Sequence, residues 1–422
     1  MIELREKMRK ACREKDLGQV DKILKMVKNK EDLEAMDNLS MYYAYSGWDK
    51  DIIKKIIDKS RELNAKDYLN NLNIQGECLL HMAVWNGDLD IVNMLVEAHA
   101  DIDKRSELGF TPAFIASMGG DIGAEILRMQ ITAPTKIYKD HRKILNCLIR
   151  AGANINKADK DGFTPLYVAC QLGYREMVDD LILAGANLNK ANKMGLTPLY
   201  IACQKGYNSI VCALIEGGAD KNVATQMGET PLLIACQEGQ TKVTRSLIKL
   251  GVDINKAAFD GVTPLYIASQ NGWLDITCML IEAGADVNIA SDDGITPLYI
   301  ASQNGNSKIV SKLIEAGSDL NKSNNNGVTP LYIACQKGYE GVVELLVKAG
   351  ADINQKNRRG FTPMVIAKLL GHDNVVDILK RFLEDKARFE QRSKILPKME
   401  TVNEEEKKKK NKKRSKKTGK NK

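Results

Sequence analysis

Side chains able to do acid–base, nucleophilic or metal chemistry are few and scattered in this chain of 422 residues. Four histidines, His81, His99, His141 and His372, stand outside any metal-binding motif. No HExxH, GxSxG or P-loop string occurs. The run Gly119-Gly120-Asp121-Ile122-Gly123 is glycine-rich but lacks the Lys-Ser/Thr pair that a phosphate loop needs. Nine cysteines form no CxxC pair and are odd in number, which suggests neither a zinc knuckle nor a closed disulfide framework. Reduced thiols inside a cell, cytoplasmic or nuclear, are the expectation. Four of them, Cys170, Cys203, Cys236 and Cys335, recur at one slot and alternate with Ser269 and Ser302. A ligand role would not survive that exchange, whereas a small side chain at a crowded helix crossing would. The sequence therefore predicts no enzyme, no cofactor and no metal centre.

What is regularly placed is the scaffold. Thr-Pro pairs begin at Thr164, Thr197, Thr230, Thr263, Thr296, Thr329 and Thr362, each 33 residues after the last, in text such as TPLYVACQLGY and TPLYIASQNGW. Each of the first six is followed by an LI or LV pair and then AGAN- or AGAD-like text ending in Asn. Upstream the register decays: Thr111 opens TPAFIASMGG, and Cys78, 33 residues earlier, opens CLLHMAVWNGD. Two further units keep only helical spacing: Ala44 with Ile52, Ile53, Ile56 and Ile57, and Ala11 with Val20, Ile23 and Leu24. Eleven repeats result, the first two degenerate, and Val375 to Ile395 reads as one extended last helix ending before Pro397.

Residue types predict the build of each repeat. Thr caps the orphan N–H groups of a first helix and Pro suits its first turn. Ala169 and its equivalents are small where helices approach. Gly173, Gly206, Gly239, Gly272, Gly305 and Gly338 end that helix in a left-handed turn. Leu181 and Ile182 and their equivalents, on the second helix, face neighbouring repeats. Asp-Gly and Asn-Gly pairs at 161–162, 260–261, 293–294 and 326–327 make tight turns. No repeat can bury its own apolar face, so stacking must do it.

This pattern closely resembles the ankyrin repeat, whose period and T-P-L-H signature it carries. The resemblance implies an all-α solenoid of helix-loop-helix pairs with β-hairpin fingers. His81 keeps the His of T-P-L-H, whereas Tyr replaces it at 167, 200, 266, 299 and 332, where its hydroxyl is expected to reach neighbouring backbone. His141 and His372 match the family's Gly-His turn, and His99 replaces the hairpin Gly.

The resemblance also implies where partners dock: across the concave face, on the fingers and the exposed side of the first helix. Two slots just before the first-helix Gly then face the groove. The inner reads Trp85, Met118, Gln171, Gln204, Gln237, Gln270, Gln303, Gln336 and Leu369; its neighbour includes Lys205, Glu238, Asn271, Asn304 and Lys337. The residue before each Thr, with Phe163 and Glu229 among them, lines the same side. Packed helices lie about 8–10 Å apart, too far for routine bonds between successive Gln side chains. The Gln row is either duplication of a tolerated residue or an adaptable polar strip for an extended peptide. Mixed signs at Lys205, Lys337, Glu229 and Glu238 argue against a phosphate-tracking groove.

Charge divides the chain. From Lys407 to Lys422 lie ten Lys and one Arg, leaving 51 basic against 54 acidic residues elsewhere. The tail is expected to be disordered. Its core, Lys412, Lys413, Arg414, Lys416 and Lys417, resembles a nuclear-localisation signal and could equally hold RNA, acidic protein or anionic lipid. The expected organisation is degenerate repeats over 1–75, divergent repeats over 76–161 with an insertion at 121–140, near-uniform repeats over 162–359, a capping repeat over 360–396 and the basic tail over 397–422. The insertion carries Ile122, Ile126, Leu127, Ile131 and Ile137, and either packs on outer helices or docks a partner. No stretch approaches eighteen apolar residues, so no membrane span is expected, and Met1 to Lys15 shows no apolar signal core. The leading expectation is a monomeric intracellular scaffold or adaptor binding other proteins. The alternatives are a nuclear or nucleic-acid-associated regulator acting through the tail, which would meet acidic polymers or import receptors, and a regulatory subunit of a separate enzyme.

Overall fold

The computed structural model describes residues 2–34, 49–73, 75–119 and 140–388. The insertion up to residue 139, Ala44, the part of the expected last helix from 389 to 395 and the basic tail lie outside these. The chain divides into two compact units, Met1–Phe259 and Asp260–Lys422. Among the described residues every regular element is a helix.

In the first unit, helices Ile2–Glu14, Leu17–Met26 and Lys50–Glu62 precede five helix pairs. The inner helices of these pairs are Leu79–Trp85, Pro112–Ser117, Pro165–Leu172, Pro198–Lys205 and Pro231–Gln237; the outer ones are Leu89–Glu97, His141–Arg150, Arg175–Leu183, Asn208–Glu216 and Thr241–Lys249. The second unit repeats the plan with inner helices Pro264–Asn271, Pro297–Gln303, Pro330–Lys337 and Pro363–Leu369. Its outer helices are Leu274–Glu282, Ser307–Glu315 and Glu340–Lys348, and a last one covers 373–388. Helices this short are marginal alone, so neighbours must supply their stability.

The capping chemistry is as the sequence implies. Thr164 Oγ1 accepts the Tyr167 N–H at 3.1 Å, and Thr296 Oγ1 accepts that of Tyr299 at 3.1 Å. Gly173 closes its helix at φ +78°, with Tyr174 N–H returning to the Ala169 carbonyl at 3.0 Å. Ala169, Cys170, Ala202, Cys203, Leu181 and Leu214 are fully buried, and Ser269 and Ser302 occupy the same slot as the thiols, also fully buried. Ser302 stays satisfied by donating to the Leu298 carbonyl at 2.7 Å. The degenerate first units also bury their spaced apolar residues, Val20, Ile23, Ile52, Ile53, Ile56 and Ile57.

Two local expectations change. The hairpin fingers form no strand ladder among the described residues; they are turns, as where Asn192 N–H meets Leu196 O at 3.1 Å and Gly195 N–H meets Asn192 O at 3.0 Å. A side-chain oxygen organises the turn: Asn192 Oδ1 accepts from both Met194 and Leu196 N–H at 2.9 Å, and Asp159 does the same for Asp161 and Phe163. Gly195 in this turn has φ +80°, and a Cβ there would meet Gln226 N at 2.8 Å, so only glycine fits. Second, the hydroxyls of Tyr200, Tyr299 and Tyr332 meet side chains of the following finger instead of backbone. Tyr200 donates to Glu229 Oε2 at 2.9 Å, and Asn357 Nδ2 donates to Tyr332 at 3.0 Å. Tyrosine is longer than histidine and overshoots the carbonyls that His81 reaches.

Within each unit an Asn near the end of a repeat stitches it to the next. Asn156 Oδ1 accepts from Asn187 N–H at 2.7 Å and Asn189 from Asp220 N–H at 2.8 Å; in the second unit Asn288 accepts from Asp319 and Asn321 from Asp352, both at 2.8 Å. This ladder fixes the spacing at which each inner helix offers its exposed side chains.

Candidate functional site

The inner-helix face of the first unit begins with an apolar cluster. Phe114, Met118 and Val168 are buried, and Trp85, Phe110, Phe163 and Leu172 lie partly buried against them. These residues come from three successive repeats, and the stacking of helices Leu79–Trp85, Pro112–Ser117 and Pro165–Leu172 brings them together. Phe110 stacks on Phe114 with ring centroids 4.8 Å apart, and Phe163 tilts against Tyr167 at 4.8 Å. Aromatic pairs of this geometry add roughly 0.5–1.5 kcal/mol beyond burial, so the rings are held in place before anything binds. Trp85 Nε1 donates to Glu77 Oε1 at 2.7 Å, which fixes the indole. Burial raises the Glu77 carboxyl above its ordinary range, with the Trp85 bond opposing.

Beyond the cluster the face of this unit turns polar. Gln171, Gln204 and Gln237 are half-buried, Lys205 and Glu238 are exposed, and Glu229 is tied to Tyr200. Burial comes first, and the Glu229 carboxylate second, in pushing the Tyr200 phenol well above its usual range. The second unit carries only the polar version: Gln270, Gln303 and Gln336 half-buried, with Asn271, Asn304 and Lys337 exposed. Asn304 Nδ2 reaches the Gln270 carbonyl at 2.8 Å. In the last repeat Leu369 and Leu370 are exposed, at 70% and 47%.

The recurring thiols and His81 are buried in the scaffold. Burial pushes the Cys236 and Cys335 thiols up to about 12, and Cys170 and Cys203 higher still, so none is a ready thiolate. His81 is buried and accepts the Cys78 N–H at Nδ1, 3.1 Å, while Nε2 faces the Lys104 and Phe110 carbonyls at 3.0 and 3.1 Å. Two carbonyls at Nε2 require the proton there, and burial lowers the imidazole to about 4. Among the described residues no three or more His, Cys, Asp or Glu side chains gather as a metal site, and no helix is long and apolar enough to cross a membrane.

Of the sequence-predicted residues, Trp85, Met118 and Phe163 are brought into one cluster, and the Gln residues line one slot within each unit. Lys412, Lys413, Arg414, Lys416 and Lys417 lie outside the described residues. Sequence reading left out Phe114, Val168 and Glu77. Glu77 precedes Cys78 as Glu229 precedes Thr230, so carrying that slot back to the third repeat would have found it.

Ankyrin-repeat models match residues 135–225, 208–291 and 284–357, and a single-repeat model matches 75–107. Ankyrin repeat and SOCS box protein 3 of Homo sapiens is 33% identical over 127 residues, 27% of this chain and 24% of that protein. Protein phosphatase 1 regulatory subunit 27 of Mus musculus is 36% identical over 97 residues, 23% of this chain and 50% of that protein. The chain thus spans half or less of these relatives. A solved structure, the ankyrin repeat domain of Bcl-3, a unique member of the IkappaB protein family, is 29% identical with a TM-score of 0.48, covering 52% of this chain and 100% of that one. Ankyrin repeats generally mediate protein–protein interaction and are generally non-catalytic. The matched segments make up more than half of its length, and the chain belongs to the ankyrin-repeat family.

Proposed function

We propose that this protein is a non-catalytic adaptor that holds partner proteins on the inner-helix face of its repeats, in the cytoplasm or nucleus. The observation that carries the reading is the cluster of Trp85, Phe110, Phe163 and Leu172, half-exposed over buried Phe114, Met118 and Val168. Rigid aromatic groups left partly in water are the type of anchor that dominates protein interfaces, and the polar Gln, Lys and Glu beside them supply a rim. The mouse relative's name supports a narrower version, in which the partner is an enzyme that this chain regulates. The Lys412–Lys417 run would add nuclear import or polyanion contact, and removing 407–422 separates that role from the groove.

The test is capture of partners with intact protein and with Trp85→Ala/Phe163→Ala, each read by mass spectrometry after circular dichroism shows equal helix content. The double variant is expected to lose the intact protein's partners, by tenfold or more for hot-spot residues worth about 2 kcal/mol. Retention of every partner would overturn the reading.

A further inference from the structure

The row of Gln side chains carries an inference about the shape of the partner, which rests on the inner-helix face being the binding surface. Gln171 and Gln204 in the first unit, and Gln270, Gln303 and Gln336 in the second, occupy the same slot of their inner helices and are half-buried. Among the described residues their side-chain amides bond nothing in the chain. The neighbouring backbone is already used: the Gln204, Gln270 and Gln336 carbonyls accept from Gln240, Asn304 and His372 of the following repeat, at 3.1, 2.8 and 3.1 Å. Each of these five repeats therefore offers one amide with a donor and an acceptor to spare.

Their spacing selects what they can bind. Packed helices stand about 8–10 Å apart, so the amides recur at roughly that interval. An α-helix has spent its backbone groups on itself and leaves nothing for them. In a β-strand, which rises about 3.3 Å per residue, like-facing groups recur at about 6.6 or 13 Å, and neither fits. A polyproline II segment turns once in three residues with about 3.1 Å rise, so like-facing groups recur every 9.3 Å or so, with backbone unbonded. Such segments also dock on aromatic-lined surfaces. The first unit has one, and its Leu172 and Val168 flank Gln171 on the same helix.

We propose that the first unit binds a partner segment in the polyproline II conformation. An apolar side chain seats on Trp85, Phe110 and Phe163. The backbone then runs past Gln171 and Gln204, which take an N–H or C=O from every third residue. The amides read backbone, so they tolerate many sequences, and the aromatic cluster selects the anchor. The second unit, with Gln270, Gln303 and Gln336 but no aromatic cluster, is expected to bind the same probes much more weakly.

The experiment selects binders to the full chain from a phage-displayed library of random twelve-residue peptides, then measures the best by fluorescence anisotropy. Backbone N-methylation is placed at each residue in turn, and the protein is tested intact and as Gln171→Ala, Gln204→Ala and Trp85→Ala/Phe163→Ala. Expected are about tenfold losses recurring every third residue on N-methylation, similar losses with either Gln variant, and loss of binding with the aromatic variant. A period of two, helix formation on binding, or Gln variants that bind like the intact chain would overturn the inference. If the aromatic variant still abolished binding in those cases, the inner-helix surface itself would stand. A library that yields no binder, or only binders indifferent to every variant, would overturn the inference and count against that surface as well.

Discussion

The inner faces at residues 77–172 and 264–337 are built on the same skeleton and carry different chemistry. Thr164 and Thr296 cap at the same 3.1 Å, and the Asn ladder runs at 2.7 Å from Asn156 and 2.8 Å from Asn288. Yet the slot holding Trp85 and Met118 in the first stretch holds Gln270, Gln303 and Gln336 in the second. The difference teaches that positions making the fold and exposed positions of the inner helices vary separately here. The Ala slot at the helix crossing is the same residue from Ala83 to Ala367 and the cap is Thr in every repeat from Thr111 on, whereas the inner-helix slot of the Gln row holds Trp, Met, Gln or Leu. Duplication can therefore multiply the scaffold while the exposed inner-helix residues diverge.

If the skeletons are equal, equal damage should cost the same in both. Leu181 and Leu313 are equivalent, fully buried residues of outer helices Arg175–Leu183 and Ser307–Glu315. Each Leu→Ala change removes three buried carbons and leaves a cavity, an expected loss of about 3 kcal/mol. Urea denaturation, followed by circular dichroism and by hydrogen exchange of the altered repeat, measures it. A loss at Leu181 less than half that at Leu313 would break the comparison, because the groove's repeats would then be the softer ones.

The next effect should appear in the first unit alone. His81 is held neutral, with its folded value near 4 against 6.5 in the unfolded chain. Between those values the unfolded state binds more protons, so stability falls as pH falls from about 6.5 toward 4. At pH 5 the cost is about 2 kcal/mol, borne by the repeat of Leu79–Trp85 and Leu89–Glu97. The Tyr-bearing repeats have no such group at that slot. Hydrogen exchange, corrected for intrinsic rates, should show residues 79–97 losing protection between pH 7 and 5 while 297–315 do not. Equal loss in both would sink the assignment.

Much of this was legible because repetition averages out noise. Thr, Gly and Cys/Ser slots recur often enough that each could be assigned a role from residue type alone, whereas the terminal Asn was visible only as a recurring letter and its bond to the next repeat was not. The residue that closes each finger was harder to see. It is Asn192, Asp159 or Thr225 in different repeats, and only a side-chain oxygen is common to them. The Tyr hydroxyl partners were invisible for a geometric reason. Glu229 lies 29 residues from Tyr200 and Asn357 lies 25 from Tyr332, so the bonds exist only once the next finger has folded over the ring. The groove slots were legible as a row, but that Trp85, Met118 and Phe163 share a cluster with Phe114 and Val168 depends on how three helices stack.

The smallest effect tests whether the divergent region merely lacks the block's refinements. His99 stands where later repeats have Gly185, Gly218 or Gly284, and it adopts φ +57°. A side chain in that left-handed region costs roughly 1–2 kcal/mol, against which glycine's extra freedom in the unfolded chain weighs roughly 0.5–1. His99→Gly should therefore stabilise by about 0.5–1 kcal/mol, read as a small rise in the thermal midpoint and slower exchange in 89–97. The side chain is exposed and its N–H bond to Val96 O, 3.0 Å, is kept by glycine, so little is lost to offset the gain. Gly284→His in the uniform block should cost the same amount. A His99→Gly protein no more stable than the parent would mean that the imidazole contributes where it stands. The third repeat would then have been shaped around that residue, not left unrefined.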